Sequence, residues 1–357
     1  MRLGKSICLV VIFSSVLLGQ LVSRSVASPS HSIIAFDQDG TVVLRKDFSK
    51  HTYSRFMGIS PVISPSGDAV AFLRSGNVFI LNLSSDREKQ LTHFPPGISP
   101  ESFDMHIAWH PSEKWIVFTM EMPFLYDARR GVLRSVSKPT HAAFPISTLW
   151  FADVHLGRAY MIVGPTSFPV RRWHENTLDA ANLLEPIFSP DGKFLWFISP
   201  GNIYELNVGK SGIRCDVKPR LVANLGKLDT EGPGASKWGR GPRQLAWDGV
   251  SSRLCYWIGR YWGTGESSYG YLQWRHGDLE KPVKWNPQFA HEIRKAFPNI
   301  EGCEFDNTGH LWVRALVEDK SRWIRQDSKV MLPVGAGRPS FRASGTVPFF
   351  AELAQRK

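Results

Sequence analysis

Two short segments combine cationic and aromatic side chains with glycine. They are Lys237-Trp238-Gly239-Arg240, with Arg243 close behind, and Arg260-Tyr261-Trp262-Gly263. Aromatic faces stack on sugar rings or on guanidinium groups, and Arg pairs with carboxylates through parallel hydrogen bonds. Such a set suits the binding of a sugar or an acidic group. Groups able to exchange protons are more scattered. His106, His141 and His291 stand apart in sequence, and His174-Glu175 places a base beside an acid. Acid–base chemistry requires such groups to come within hydrogen-bond reach of the atom they serve, so their meaning depends on the fold. No Cys/His spacing suggests zinc, no Gly-x-Ser-x-Gly elbow is present, and neither metal nor cofactor is expected from any local motif.

The elements that must position these residues show as an internal repeat. Glu185-Pro186-Ile187-Phe188-Ser189-Pro190-Asp191-Gly192-Lys193-Phe194-Leu195-Trp196-Phe197-Ile198 is its clearest copy. An apolar strand runs into Ser-Pro-Asp-Gly and out into a second apolar strand. Pro presets φ for the turn, Asp bonds its own backbone, and Gly supplies a positive φ. Val62-Ile63-Ser64-Pro65-Ser66-Gly67 opens a close copy, and Trp109-His110-Pro111-Ser112-Glu113 opens another in which Glu replaces Gly. Further copies centre on Asp248, Asp306 and Gly345, and a weaker one lies near Asp153. A third strand and a more polar fourth follow, as in Asn202-Ile203-Tyr204-Glu205-Leu206 and Arg220-Leu221-Val222-Ala223. Four antiparallel strands roughly every forty to sixty residues is the period of a β-propeller blade. Second strands apolar at every position fit a sheet covered on both faces.

These units resemble the TolB-type propeller repeat, with its apolar-Ser-Pro-Asp-Gly-Lys-apolar signature, most closely at 189–193 and 64–67. The resemblance implies an all-β fold of four-stranded blades over residues 28–357. It does not imply one chemistry, because the repeat also builds propellers of prolyl oligopeptidase-type peptidases and of oligogalacturonate lyases. The peptidases' catalytic domain and TolB's smaller N-terminal domain have no counterpart in this sequence. Oligogalacturonate lyases hold a divalent metal with histidines in the propeller mouth, and no motif here matches theirs residue by residue. Seven inner-to-second hairpins predict seven blades, with six the alternative if the copy near Asp153 is not a blade. Residues 33–44 then supply two strands that pair with the C-terminal hairpin and close the ring.

In such a blade the connections from fourth to first strand share a face with those from second to third. Residues 224–242 and 259–268 are long connections of these two kinds and should be neighbours. Lys237, Trp238, Arg240, Arg260, Tyr261 and Trp262 are therefore the predicted ligand-binding set. Trp247 and Trp257 are assigned to the blade core. Residues 1–27 read as a signal peptide: Arg2 and Lys5, an apolar run over 7–18, then Ser25-Val26-Ala27. The run is too short to span a bilayer. The leader carries Arg2, Lys5, Arg24 and no acid, so its loss takes the net charge from +11 to +8. A basic exported protein favours acidic partners, and no nucleic acid is expected. In an oxidising compartment Cys215, Cys255 and Cys303 allow one disulfide and a leftover thiol, or three thiols. The expected function is a non-enzymatic, secreted or periplasmic binder of a protein or anionic glycan. The alternative is a metal-dependent polysaccharide lyase or hydrolase working in the channel. Intact-mass analysis of exported protein should find an N-terminus near Ser28, and an exported chain still starting at Met1 would overturn the leader reading.

Overall fold

The structure, a computed structural model, describes residues 32–46, 52–95, 106–127, 132–135, 144–164, 171–174, 177–179, 184–199, 202–215, 217–225, 241–259, 268–284, 300–306, 309–317, 320–325, 331–332, 336 and 340–343. Among them the strands form six antiparallel blades. The first joins both ends of the chain, ordered β27 (Ser340–Ala343), β1 (Ser32–Gln38), β2 (Thr41–Lys46), β3 (Thr52–Met57). The second is β4 (Ile59–Ile63), β5 (Ala69–Arg74), β6 (Asn77–Asn82) and β7 (Arg87–Gln90). The third is β8 (Ile107–Trp109), β9 (Trp115–Asp127), β11 (Phe144–Asp153) and β12 (Arg158–Val163), with β10 (Val132–Ser135) folded back on β9. The fourth is β15 (Leu184–Phe188), β16 (Phe194–Ser199), β17 (Asn202–Asn207) and β18 (Arg220–Asn224). The fifth holds β19 (Gly241–Asp248), β20 (Arg253–Gly259) and β21 (Ser268–Arg275), against which short β22 (Asp278–Leu279) and β23 (Val283–Lys284) pair. The sixth holds β24 (Ile300–Phe305), β25 (Leu311–Val317) and β26 (Lys320–Arg325). A two-stranded hairpin, β13 (Arg171–His174) with β14 (Thr177–Asp179), stands outside the blades.

Two expectations are corrected. There are six blades, because the weak copy near Asp153 is not a blade. Its strands are β11 and β12, the third and fourth of the third blade. β9 runs unbroken from Trp115 to Asp127, and β11 pairs with it from Phe124↔Phe144 to Trp115↔Asp153. A third-to-fourth hairpin has the same apolar-turn-apolar pattern as a first-to-second one, and strand identity is invisible without the pairing. The chain ends also meet differently. β27 lies against β1 (Ser32↔Ala343 to Ala35↔Ser340), so the N-terminus contributes three strands and not two. The expected partner strand at 347–350 lies outside the described residues.

Why the blades stack follows from their sequences. Second strands such as β16 (FLWFIS) and β5 (AVAFLR) are buried on both faces, so each face needs a neighbouring sheet. Separate apolar clusters fill the gaps: Leu44 with Phe72, Phe118 with Leu73, Phe197 with Phe151, Trp196 with Tyr256, and Trp312 with Phe36. Outer strands see water. β7 reads Arg-Glu-Lys-Gln and is exposed throughout, a composition that discourages pairing with other chains. Glu205, buried in the fourth blade, accepts from Trp196 Nε1 at 3.0 Å and from Arg220 at 2.8 Å. Cys215 is an exposed thiol and Cys255 a buried one, and the Cys303 side chain lies outside the described residues.

The first-to-second turn is where repeat and packing meet. Ser189 Oγ accepts from the Phe194 amide at 2.9 Å and donates to Asp191 at 2.7 Å. Ser64 Oγ accepts from the Ala69 amide at 3.1 Å in the same way. In the fifth and sixth blades Asp248 and Asp306 take this capping role. Each turn also contains a left-handed residue: Gly67 (φ 85°), Glu113 (60°), Gly192 (71°), Ser252 (53°) and Gly309 (83°). Two of these glycines lie against the preceding blade. A Cβ on Gly192 would sit 2.5 Å from His110, and one on Gly309 would sit 2.8 Å from Val250. Gly40 (φ 74°) has nothing within 4 Å. Gly40→Ala is therefore expected to cost about 1–2 kcal/mol from backbone strain alone. Gly192→Ala should cost roughly 1–3 kcal/mol more, because it also overpacks a blade interface. Urea denaturation of the two variants checks the difference.

Candidate functional site

Inner strands β4, β8, β15 and β19 abut one another in that order, and β24 follows β19. All begin on one face, called here the entry face. Their first-to-second turns lie on the other. At the entry face the inner strands are irregular at matching positions. Register shifts fall between Ile59 and Val62, Leu184 and Ile187, Pro242 and Gln244, and Ile300 and Gly302. The displaced residues are Ser60-Pro61, Glu185-Pro186, Arg243 and Glu301. Bulges of this kind re-aim side chains, and they concentrate near barrel rims and sites. Ser60 and Glu185 are held at φ 50° and 56°, a region costly for residues with a Cβ and doubly so before Pro.

His106 occupies the corresponding position just before β8. Its Nε2 lies 3.1 Å from Glu185 Oε1, joining the third and fourth blades. The Glu185 side chain is 4% exposed and that of His106 20%. Thr119 fixes the His106 backbone: the His106 amide donates to Thr119 Oγ1 at 2.7 Å, and the Thr119 amide donates to the His106 carbonyl at 2.9 Å. Between the first and second blades, the Ser60 amide donates to Asp37 Oδ1 at 3.3 Å. Burial pushes the Asp37 carboxyl above the usual carboxylate range, opposed by that amide, by its own, and by the charge of Arg314. The described entry face therefore carries carboxylates from β1 and β15 and an imidazole positioned by one of them.

The predicted binding set Lys237, Trp238, Arg240, Arg260, Tyr261 and Trp262 lies outside the described residues. The strands that bracket it are described. β18 ends at Asn224 and β19 begins at Gly241; β20 ends at Gly259 and β21 begins at Ser268. Gly241 pairs with Gly259, so the two connections spring from adjacent points. His141, His291 and Glu175 also fall outside the described residues, and His174 ends β13. That strand is not the third strand of a blade, which the repeat predicts, but part of the connection between the third and fourth blades. Among the described residues no three His, Cys, Asp or Glu side chains converge as a metal group, and no helix is long and apolar enough to cross a membrane.

Sequence reasoning misses two features here. Glu185 is visible only as the first residue of a repeat, because neither its φ nor its contact across blades has a local signal. The repeat pattern also divides the β9–β11 ribbon between two blades. β8 pairs with β9 only at residues 116–118, so β9 continues past the start of β8 by roughly 25–30 Å at 3.3 Å per residue. Unusual strand length is the available clue, since 115–126 contains no turn residue except Pro123.

No protein-family model matches this chain, and no curated protein matches it. Its fold is that of β-propeller proteins. Among solved structures it is similar to dipeptidyl peptidase 4 of Porphyromonas gingivalis, at 14% identity over 85% of this chain and 45% of that one, with a TM-score of 0.41. It is similar to a chain of a nidogen/laminin complex at 10% identity, over 88% and 100% of the two chains, with a TM-score of 0.48. For the oligogalacturonate lyase of Vibrio parahaemolyticus the values are 12%, 84% and 78%, and 0.44. This chain thus spans under half of the peptidase. A peptidase and a lyase differ in chemistry, so none is transferred, and the site stands on its own residues.

If the His106–Glu185 contact joins two blades in this way, Glu185→Ala should destabilise the protein by about 1–3 kcal/mol more than Ser60→Ala. Both positions carry the same backbone strain, and only one carries the imidazole across blades. Chemical denaturation of the two variants measures the difference, and equal losses would contradict it.

Proposed function

We propose that this chain is an exported propeller of the TolB type that works by binding. Its ring closes through the β27–β1 pairing, and its entry face holds an acidic partner, either a protein or an anionic glycan. One observation carries this reading. The connections at 225–240 and 260–267, rich in Lys, Arg, Trp and Tyr, are rooted side by side at Gly241 and Gly259. Adjacent roots, with cationic and aromatic residues in both connections, support a shared binding rim. The net charge of +8 left after loss of the leader (+11 less Arg2, Lys5 and Arg24) favours acidic ligands in the same sense. The leader-like first 27 residues and the Ser-Pro-Asp-Gly turn support export and the TolB-type assignment.

The His106–Glu185 pair favours a second reading, a polysaccharide lyase or hydrolase using the channel mouth, because a buried carboxylate holding an imidazole is one arrangement of a general base. The two readings differ in which residues matter. Mature protein should be screened on a glycan array with uronate and sulfate ligands and in pull-downs from envelope extract. Arg260→Ala and Trp262→Ala are expected to lower binding at least tenfold, with His106→Ala unaffected and binding weakening as salt rises. Turnover of an anionic polysaccharide that His106→Ala abolishes and Trp262→Ala spares would replace the binding reading with the enzymatic one.

A further inference from the structure

β8 is three residues long, and a histidine flanks it at each end. Both histidines reach the fourth blade. At the entry face His106 meets Glu185. At the turn face His110, 8% exposed, lies with Nε2 3.0 Å from the Gly192 carbonyl oxygen. Its other nitrogen, Nδ1, accepts from the Ser112 amide at 3.0 Å and has the Ser112 hydroxyl at 2.7 Å. An amide can only donate, so Nδ1 carries no proton, and the proton must sit on Nε2, where it is donated to Gly192. The ring is edge-on to Trp115 and Phe188, at centroid distances of 4.7 and 5.0 Å.

His110 occupies the turn position that is Ser64 and Ser189 in the adjacent blades and Asp248 and Asp306 further round. The capping bonds of those residues stay within their own blades. His110 caps its turn with Nδ1 and joins the next blade with Nε2. The bond that Nδ1 accepts from the Ser112 amide requires a neutral ring, whereas Nε2–H donates to Gly192 whether the ring is neutral or charged.

We propose that His110 is a pH-sensitive latch on the first turn of the third blade, closed when the ring is neutral and released by protonation, while its Nε2–H bond to Gly192 of the fourth blade persists. The His106–Glu185 contact does not require a neutral imidazole, so acid acts on the turn end of β8 only. Protonated Nδ1 would point a hydrogen at the Ser112 amide, leaving that amide without its acceptor and only the Ser112 hydroxyl to receive the new proton. The new charge would lie in an aromatic slot, near Lys114, which opposes it, and Asp191, which favours it but is engaged by Lys193 at 3.1 Å. Glu113, the remaining charged residue of the turn, is directed to the Ser66 amide. The environment agrees in direction: burial above all, then Lys114, holds the His110 imidazole below the ordinary histidine range, against the Gly192 bond and Asp191. A lowered folded-state value means that the unfolded chain binds the proton first. The latch's contribution is therefore complete above the ordinary value of about 6.5 and is lost as pH falls through the lower folded value.

The test uses the full mature chain. Amide exchange at Glu113 and Ser112, corrected for the intrinsic effect of pH, should rise at least about tenfold between pH 8 and the low end of the stable range. Each pH step of about one below the imidazole's midpoint raises the ratio of protonated to neutral ring roughly tenfold. In His110→Ser, which restores the residue of the adjacent blades, that rise should vanish, while His106→Gln should keep it. An unchanged rise in His110→Ser would overturn the proposal. Should His110→Ser fail to fold, NMR of the wild-type imidazole decides. A neutral Nε2–H tautomer titrating below about 6.5 supports the latch, and a Nδ1–H tautomer or a midpoint above about 6.5 overturns it.

Discussion

A sheet with two apolar faces cannot rest against water on either, and every other feature of this molecule depends on that constraint. The second strands Val70–Leu73 and Leu195–Ile198 are buried throughout. Each needs a neighbouring sheet on both sides, which excludes a sandwich with one wet face and requires blades in sequence around an axis. The clusters between blades are the consequence. They hold inner strands as short as β8 in place, since three residues make too few ladder bonds to stand alone. The pairing of β27 with β1 belongs to the same constraint: without it, Ile34 and Phe36 of the first blade would be left beside an open edge while packed on Trp312 and Trp323 of the sixth.

Polar contacts add direction to this packing. At the turn face, caps from Ser, Asp or His set the hairpin, and left-handed residues let the next blade approach closely. At the entry face the inner strands depart from regular pairing, and those departures carry charge: Glu185 and His106 across one blade boundary, Asp37 and the Ser60 amide across another. The regular end thus joins neighbouring blades, and the irregular end places charged groups at the boundaries between them. Strain at Ser60 and Glu185 is tolerated because the surrounding sheets over-determine the backbone.

Much of this is legible from residues alone. The turn chemistry of Ser189-Pro190-Asp191-Gly192 specifies a hairpin, and its recurrence specifies blades. Strand pairing is less legible. The apolar stretch at 149–151 followed by 158–162 satisfies any hairpin of a blade, and only the register of β11 on β9 shows which. That ambiguity is the source of the expected seventh blade. The site is legible in part. The roots of the two cationic, aromatic connections follow from strand alternation, whereas Glu185 depends on a bulge and a positive φ that no side-chain pattern announces.

The sequence by itself determined the fold class, the turn face and the basic, aromatic character of the long connections, because those depend on local propensity, periodicity and composition. Only the tertiary structure decided the blade count, the partner of β1, and the two histidine contacts that flank β8. These depend on pairings between residues distant in the chain: 79 positions separate His106 from Glu185 by their numbers, and 82 separate His110 from Gly192. No local pattern encodes which blade will lie beside which side chain.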